Sequence, residues 1–539
     1  MLTGPNGEIV TSPISSLERN RRTLLLTQRG LPASEIRRLG GGATQFSIAG
    51  GDPRAAVNQY DLGLYLQDDW KIRENLSISP GLRYENQTNI NSDLNFAPRI
   101  GFAWSPSFSL GRRPAKPTAP KNADAATAPQ SAPQSNAAPG ASKTIIRGGF
   151  GIFYSRVEES LTLQASRFNG INQQQFVTSD PLVLDLYPIV PPIATLTAFS
   201  QPQVRNTFDA RLGPATIFHS SLTLEQQLPH NLRLMVNLMN AHTRAALRTV
   251  NINAPLAGTF LPDVATSGVR PFGQAAGNVL ELQSNGRSLR RWIVIALNGQ
   301  IKKVNFWSNY TFAKTTSTDD GTSGSPFDPY DFKQEWGRAN FDFRHFLFMG
   351  GNIEGPFGVN LNTFVIASSG PPFNITTGKD TNGDNAFVER PAFATNLNKP
   401  GVIGTPFGAL DPNPEPGQRI IPRNIGQGPG MVMLNLGLSK SFSFGKPIAP
   451  AGAGAVAPST TESSSAAKAP AKIPVQKPYQ LGFSIYVNNV LNSTNEGNPI
   501  GNMSSPFFLK SNGGQNFIFG PGGGGGGNRQ VNLSVRLGF

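Results

Sequence analysis

The sequence predicts an all-β fold, an antiparallel transmembrane outer-membrane β-barrel with about 14–16 strands. Three observations lead to this prediction. Segments of alternating apolar and polar residues recur along the chain, and this is the period of a strand with one apolar face. Short and long connections alternate between these segments, as they do in outer-membrane barrels. No uninterrupted apolar run approaches the roughly 20 residues that a membrane-spanning helix needs.

The composition excludes several kinds of function. The chain has 539 residues, no cysteine, four histidines and a formal net charge of +14. Without cysteine there are no disulfides and no thiolate metal sites, and no cofactor is predicted. Because lysine and arginine are scattered rather than gathered on one basic face, nucleic acid is not an expected partner. The positive charge instead favours outer-membrane lipid and lipopolysaccharide, whose headgroups are anionic.

Residues 1–56 are predicted to hold partial barrel strands and a turn. Residues 22–29 contain three consecutive leucines and are interpreted as a strand, and residues 32–39 as a short helix or turn with Pro32 near its start. The glycines 40–42 are not followed by the Lys-Ser/Thr of a phosphate-binding loop. Phe46 and Ile48 lie on one face of the segment that follows these glycines.

Residues 57–539 are predicted to form the C-terminal β-barrel portion. The final segment shows the pattern most clearly, because Val531, Leu533, Val535 and Leu537 alternate with polar or small residues and lead to the terminal Phe539. A terminal aromatic residue suits the girdle where a strand leaves the bilayer. The other predicted strands are 60–70, 76–84, 98–104, 146–154, 222–228, 232–238, 289–299, 304–313, 342–353, 359–367, 432–444 and 480–491.

The connections predict sidedness. Tight turns are predicted at 71–75, 229–231, 300–303 and 355–358, and long loops at 156–215, 242–288, 314–341, 368–430 and 492–528. The long loops would face outward. Two linkers rich in Ala, Pro and Ser, 114–142 and 446–478, are predicted to be disordered and periplasmic. Because bacterial barrels have an even strand number and this count is about 15, we expect that an N-terminal part is absent.

Several phrases carry a family resemblance. They are Tyr-Leu-Gln-Asp-Asp-Trp at 65–70, Gly-Leu-Arg-Tyr-Glu at 81–85, Pro-Arg-Ile-Gly-Phe-Ala at 98–103, Arg-Gly-Gly-Phe-Gly at 147–151 and Asn-Asn-Val-Leu-Asn at 488–492. Together they resemble the C-terminal barrel of TonB-dependent receptors, in particular the Oar-like group with a carboxypeptidase-regulatory-like N-terminal domain.

The resemblance implies a 22-stranded barrel of which this chain supplies a part, with a plug and a TonB-contacting segment ahead of it. Neither the plug nor that segment is recognisable in the sequence. The implied partners are TonB, through the missing N-terminal part, and the barrel assembly machinery, through the strand that ends at Phe539. The ligand would be an oligosaccharide, a peptide or a siderophore.

The sequence contains one candidate metal site. Asp380, Asn382 and Asp384 place oxygen atoms at alternate positions, as a calcium loop does. The EF-hand spacing is not met, because Gly383 comes too early and Pro391 takes the place of the closing glutamate. An Asx- and Gly-rich turn is the competing interpretation.

Other residues are candidates for ligand contact or for catalysis. Outer-loop aromatic and amide residues could contact a sugar or peptide, namely Phe168, Asn169, Gln173, Gln174, Gln175 and Phe176. A solvated loop is the competing interpretation. No catalytic residue is predicted, because Asp68 and Asp69 would point to opposite faces of a strand. His345 also lacks an accompanying nucleophile elbow.

The predicted function is ligand capture by outward loops and passage through a polar lumen, without catalysis. One alternative is a structural or adhesive surface barrel without uptake. Another is a soluble secreted β-sandwich that binds carbohydrate. These interpretations differ in what covers the aliphatic rows of the strands: hydrocarbon in a barrel, and a second protein layer in a sandwich.

Overall fold

The fold was determined as a computed structural model. The structure describes residues 2–3, 9–10, 16–106, 144–178, 180–198, 203–261, 267–322, 324–445, 478–511, 513–514 and 527–539. The predicted linkers therefore fall outside the described residues, apart from position 478. None of the helices in the described part of the chain is long and apolar enough to cross a bilayer.

One antiparallel sheet holds thirteen strands in chain order, each paired with the next. They are β1 (Asp61–Gln67, continued by Trp70–Arg73), β2 (Leu76–Gln87), β3 (Asn95–Trp104), β4 (Thr144–Tyr154), β5 (Thr216–Leu228), β6 (Leu232–Asn251), β7 (Asn278–Ile301), β8 (Val304–Ser317), β9 (His345–Glu354), β10 (Val359–Ser368), β11 (Met431–Phe444), β12 (Tyr479–Asn488) and β13 (Gln530–Gly538). The all-β antiparallel prediction is confirmed.

Helices and short strands occupy the N-terminal segment and the connections. The helices are α1 (Ser16–Gln28), α2 (Ala33–Arg38), α3 (Glu159–Arg167), α4 (Pro181–Leu184) and α5 (Ile193–Ala198), with 3-10 turns at Gln274–Ala276, Lys333–Glu335 and Pro356–Gly358. The further strands are Leu2–Thr3, Ile9–Val10, Phe46–Gly51, Gln173–Thr178, Gln203–Phe208, Gly337–Arg338, Pro372–Phe373, Ala392–Phe393, Ile403–Thr405, Gly408–Asp411 and Gly426–Gln427.

The apolar face of the sheet is uncovered. In one row, Leu438 of β11, Ile485 of β12 and Leu533 of β13 are cross-strand neighbours, and their side chains are 47%, 46% and 75% exposed. Such a surface in water would be far larger than the apolar patches that soluble monomers tolerate. The rows therefore contact hydrocarbon, as predicted, and the soluble sandwich is wrong because no second layer covers them in the described residues.

The opposite face is polar. Glu225 of β5 is 6% exposed and forms ion pairs with Arg147 of β4 and Arg233 of β6. Arg83 pairs with Glu85 along β2 at 2.5 Å. Charged groups at membrane depth are stable only where they pair or contact water, so this face suits the lumen of a barrel.

The N-terminal segment differs from the prediction. Residues 22–29 do not form a strand, because most of them belong to the helix α1. Leu24, Leu25 and Leu26 are consecutive rather than alternating, and Glu18 forms ion pairs with Arg21 and Arg22 at 2.7 and 2.9 Å, the spacing of a helix face. The short helix after Pro32 is confirmed. Phe46–Gly51 is a strand that pairs with Gln173–Thr178. Gln173–Thr178 pairs in turn with Gln203–Phe208, which runs parallel to β7 and joins both strands to the main sheet.

The connections separate onto the two ends of the sheet. The tight turns after β5, β7 and β9 lie at one end, and the long connections after β4, β6, β8, β10 and β12 lie at the other. The loop predicted at 242–288 is shorter, since β6 and β7 run 20 and 24 residues. A transmembrane strand needs about 9–11 residues, so both strands extend past the apolar band, where their polar residues no longer show the lipid-facing alternation.

Candidate functional site

The long connections form a layer with its own apolar core. Phe373, Ile375, Leu410 and Ile421, all between β10 and β11, pack together with Met503 from the connection between β12 and β13. Ile375 and Leu410 are fully buried. Since a fixed core holds these loops against each other, polar side chains between them keep defined positions.

A cavity of about 220 Å³ lies within this layer. Three buried arginines line it: Arg248 at the end of β6, Arg390 between β10 and β11, and Arg423 further along the same connection. Asp319, Asp320 and Glu335 supply the acidic side of the wall. The cavity is therefore lined by charges of both signs that come from distant parts of the chain.

Two of these arginines have hydrogen-bonding capacity left over. Arg390 donates from Nη2 to the Gln334 carbonyl at 3.0 Å and to Glu335 at 3.1 Å, but its Nε and Nη1 are buried without a partner among the described residues. Arg248 donates from Nε to Asn285, and its Nη1 is likewise unpartnered. Burial lowers the pKa of Arg390. Unpartnered buried guanidinium groups are expensive, and an anionic ligand would satisfy them.

Arg423, in contrast, has partners for both terminal nitrogens of its guanidinium group. Its Nη1 donates to the carbonyl and hydroxyl of Ser317 at 3.1 and 3.3 Å, and its Nη2 pairs with Asp320 at 2.5 Å. This residue fixes the wall of the cavity. Burial raises the pKa of the neighbouring Asp319.

The predicted calcium residues lie in the same layer, in a tight turn. Asp380 accepts hydrogen bonds from the backbone N–H groups of Gly383 at 2.6 Å and Asn385 at 3.0 Å. Asp384 accepts one from the N–H of Ala386 at 2.7 Å. The Asn382 side chain accepts from the N–H of Asp384 and donates to its carboxylate at 3.2 Å. The Asx-turn geometry is therefore present, with Asp380 and Asp384 facing each other.

A third carboxylate joins the two aspartates. Each of Asp380, Asp384 and Glu389 has a carboxylate oxygen in a group whose atoms all lie within 4.8 Å of one another. Burial, together with the neighbouring aspartate charges, raises the pKa of Asp384 to about 6 and that of Glu389 to about 7. Glu389 was not predicted, because the EF-hand template places the closing glutamate at position 391 rather than 389.

Other sequence-based candidates have structural roles. Phe176 is 1% exposed and packs with Val183 and Leu196, so it is a core residue and the predicted ligand contact is wrong. His345 bonds through Nδ1 to the Tyr310 hydroxyl at 2.7 Å. Asp68 accepts a hydrogen bond from the Trp70 indole at 2.6 Å, in the break within β1.

A larger open groove does not qualify as the ligand site. Its volume is about 670 Å³, and its lining includes Leu222, Leu238, Ile293 and Phe312. These four residues are cross-strand neighbours on the apolar face of the sheet. Hydrocarbon contacts this surface, so the cavity in the loop layer is the better candidate.

Comparison with protein families identifies barrel domains over most of the chain. A family model described as an outer membrane beta barrel domain matches residues 136–447. A second model, described as TonB dependent receptor-like, beta-barrel, matches residues 25–137. A comparison with curated protein sequences found no match.

Solved structures of outer-membrane proteins are similar at low identity. The outer membrane transporter YddB from Escherichia coli is 12% identical with a TM-score of 0.47, over 89% of this chain and 45% of that one. The siderophore receptor PirA from Acinetobacter baumannii is 8% identical with a TM-score of 0.43, over 89% and 46%. The FrpB iron transporter from Neisseria meningitidis is 9% identical with a TM-score of 0.41, over 89% and 44%. The chain thus spans less than half the length of these proteins.

Proposed function

Because this chain belongs to the outer membrane β-barrel family, with a TonB-dependent-receptor-like segment at residues 25–137, we propose that it captures a ligand with its long loops and passes it along the polar lumen. Its location is the outer membrane of a Gram-negative bacterium. The family-level matches are to a barrel domain and a receptor rather than to an enzyme, and no reaction is part of the proposal.

The cavity with its arginines is the observation that carries the proposal. Arg248, at the end of β6, and Arg390, between β10 and β11, line the same cavity, and each has a buried N–H group without a partner among the described residues. Guanidinium groups recognise carboxylate and phosphate better than neutral groups. The ligand is therefore an anionic molecule or one with an anionic group, which favours a carboxylate-bearing siderophore, an acidic peptide or an acidic sugar over neutral members of these classes.

Further strands and domains complete the receptor in this proposal. The strand β1 pairs with β2 and the strand β13 with β12. Hydrocarbon offers no hydrogen bonds to an open strand edge, and in this proposal further strands pair with these edges. A plug and a TonB-contacting segment would precede them. The exposed C-terminal strand β13, which leads to Phe539, is proposed as the segment that the barrel assembly machinery recognises. An upstream reading frame encoding a signal, a plug and strands would support this part.

Anion binding tests the capture step. The purified full chain in detergent is titrated by calorimetry with citrate, with phosphate, and with glucose as the neutral probe. We expect citrate to bind and glucose not to bind. Arg390→Lys keeps the charge beside Glu335 but removes the planar fork, so we expect at least about tenfold weaker citrate binding. The control is Arg419→Lys, an exposed arginine of the same layer that stacks on Phe393, and it should stay within twofold.

The outcomes separate the proposal from its alternative. Heat-modifiable gel mobility verifies that each variant is folded. If citrate fails to bind, or if Arg390→Lys binds it as tightly as the parent protein, the capture proposal is wrong. Swelling of proteoliposomes in isotonic arabinose tests passage, and a rate equal to that of protein-free vesicles favours the structural or adhesive barrel.

A further inference from the structure

We propose that Asp380, Asp384 and Glu389 bind a calcium ion that joins three outer loops. This site is separate from the arginine cavity, and it does not depend on the ligand-capture function. It retains two residues of the calcium motif read from the sequence, and it adds Glu389 as the third carboxylate. The chemical class of the ion follows from the ligand atoms, the burial and the position of the site.

Glu389 is buried and has a carboxylate oxygen without a hydrogen-bond partner among the described residues. Its side chain is almost completely buried, at 4% exposure. One carboxylate oxygen, Oε1, accepts a hydrogen bond from the Thr381 N–H at 2.9 Å. The other oxygen, Oε2, has no hydrogen-bond partner among the described residues. A buried carboxylate oxygen without a partner is rare and points to a ligand that satisfies it.

The site concentrates negative charge. Three carboxylates whose oxygens lie within 4.8 Å of one another repel each other when they are ionised. Among the nearby arginines of the loop layer, Arg390 pairs with Glu335 and Arg423 pairs with Asp320. Arg270 donates to the Gly383 carbonyl rather than to a carboxylate. No lysine or arginine forms an ion pair with the three carboxylates in the part of the chain that the structure describes. A divalent cation would supply the missing positive charge.

The ligand atoms indicate which ion the site would bind. All ligand atoms are oxygens, which suit calcium and magnesium rather than softer metals. The three carboxylates come from a ten-residue stretch of one loop. Calcium accepts six to eight oxygens in irregular arrangements, whereas magnesium requires near-octahedral geometry and gives up its waters reluctantly. Calcium therefore fits the site better, with water completing its coordination.

The carboxylate turn contacts two other connections of the loop layer. The Gly383 carbonyl accepts a hydrogen bond from Arg270 at 2.8 Å, and the Asp384 carbonyl accepts one from Asn251 at 3.2 Å. The Asn382 amide donates to the Phe327 carbonyl at 3.2 Å. The turn thus contacts the connections after β6 and after β8. An ion that fixes the turn would stabilise all three loops.

Gly383 sets how closely these loops approach. Its φ of +76° lies in the left-handed region, and a Cβ at this position would lie 2.6 Å from the Phe260 ring. A glycine is therefore required both for the backbone conformation and for the contact. This contact places the carboxylate turn directly against the connection after β6.

The experiment uses the full chain in detergent, stripped of metal with EGTA. Calorimetric titration with CaCl₂ should give a dissociation constant of about 10⁻⁴–10⁻³ M, as in extracellular calcium modules. The thermal unfolding temperature should rise with calcium, and it should rise less with MgCl₂ at the same concentration. We expect Glu389→Gln to weaken calcium binding at least tenfold. The control Glu415→Gln changes an exposed glutamate of the same connection, and it should stay within twofold.

A second measurement separates ligation from a purely structural role. Because Glu389→Gln removes repulsion, the metal-free variant should unfold at the same temperature as the metal-free parent or at a higher one. A structural carboxylate would instead lose stability without metal. The proposal is overturned by any of three results: no calcium binding by the parent, unchanged binding by Glu389→Gln, or an equal or larger effect of magnesium.

Discussion

A pair of substitutions on one strand tests the assignment of the two sheet faces. Ile485 and Ser484 are adjacent on β12, so their side chains point to opposite faces. Ile485 lies between Leu438 and Leu533, and Ser484 lies between Ser439 and Ser534. Replacement of either residue by arginine adds the same side chain to the same strand. Only Ile485→Arg places it in hydrocarbon.

The position of Ile485 along the strand sets the magnitude. Tyr479, at the beginning of β12, stacks with Phe444 at a ring-centroid distance of 5.5 Å, and this pair fits an interfacial aromatic girdle. Six residues of strand at about 3.3 Å each, tilted by about 45°, place Ile485 roughly 14 Å deeper. This is near the middle of an apolar band about 25 Å tall. Arginine at that depth costs about 2–4 kcal/mol, whereas Ser484→Arg should cost less than about 1 kcal/mol, because the lumen is polar.

Unfolding of both variants in phospholipid vesicles measures the difference. Guanidinium titrations followed by tryptophan fluorescence, with gel mobility as an independent probe of folding, give the free energy of unfolding. The expected difference between the variants is about 2 kcal/mol or more, which corresponds to at least a roughly 30-fold change in the ratio of folded to unfolded protein. Equal losses, or a larger loss for Ser484→Arg, would show that the faces are assigned the wrong way round.

One further substitution and one change of pH have defined outcomes. Phe176→Ala should destabilise the packing of Gln173–Thr178 against Val183 and Leu196 by about 3–5 kcal/mol. Limited proteolysis should detect this as faster cleavage in residues 155–215, while unchanged cleavage would contradict the core role of Phe176. Calcium affinity should rise with pH, because the raised pKa values of Asp384, about 6, and Glu389, about 7, keep these ligands protonated in mild acid. The stability of the metal-free protein should change with pH in the opposite direction. Between about pH 4 and 7 these carboxyl groups are still protonated in the folded state but already ionised in the unfolded state, so the free energy of unfolding falls as the pH rises. Calorimetry at pH 5.5 and 7.5 should show at least about tenfold tighter calcium binding at the higher pH, and equal affinities would contradict the assignment.

The strands of the sheet could be predicted because hydrocarbon imposes a strict requirement on them. Leu533, Val535 and Leu537 must all point the same way, and an alternation of this kind is visible in the sequence without knowledge of any neighbour. The same requirement ends at the edge of the membrane. The extensions of β6 and β7 past it follow no period, so the predicted loop at 242–288 was too long.

The N-terminal segment shows the limit of the same method. The three leucines at 24–26 were interpreted as a strand although they do not alternate, and a short apolar run alone cannot distinguish a strand from a helix. The signal for a helix was present in the charges. Glu18 lies three residues before Arg21 and four before Arg22. On a helix this spacing places Glu18 beside both arginines, so that it can form ion pairs with them.

The loop layer could be predicted only where its chemistry is local. Asp380 and Asp384 belong to one turn whose Asx hydrogen bonds depend on neighbouring residues, so the sequence shows them together. Glu389 joins them because the backbone returns on itself, with the Thr377 N–H donating to the Glu389 carbonyl at 2.7 Å and the Thr381 N–H donating to the Glu389 carboxylate. The turn is also held from other connections, by a hydrogen bond from Arg270 to the Gly383 carbonyl and one from Asn382 to the Phe327 carbonyl. A linear template such as the EF-hand counts residues along a single loop, and it therefore cannot find a carboxylate whose position depends on contacts with two other loops.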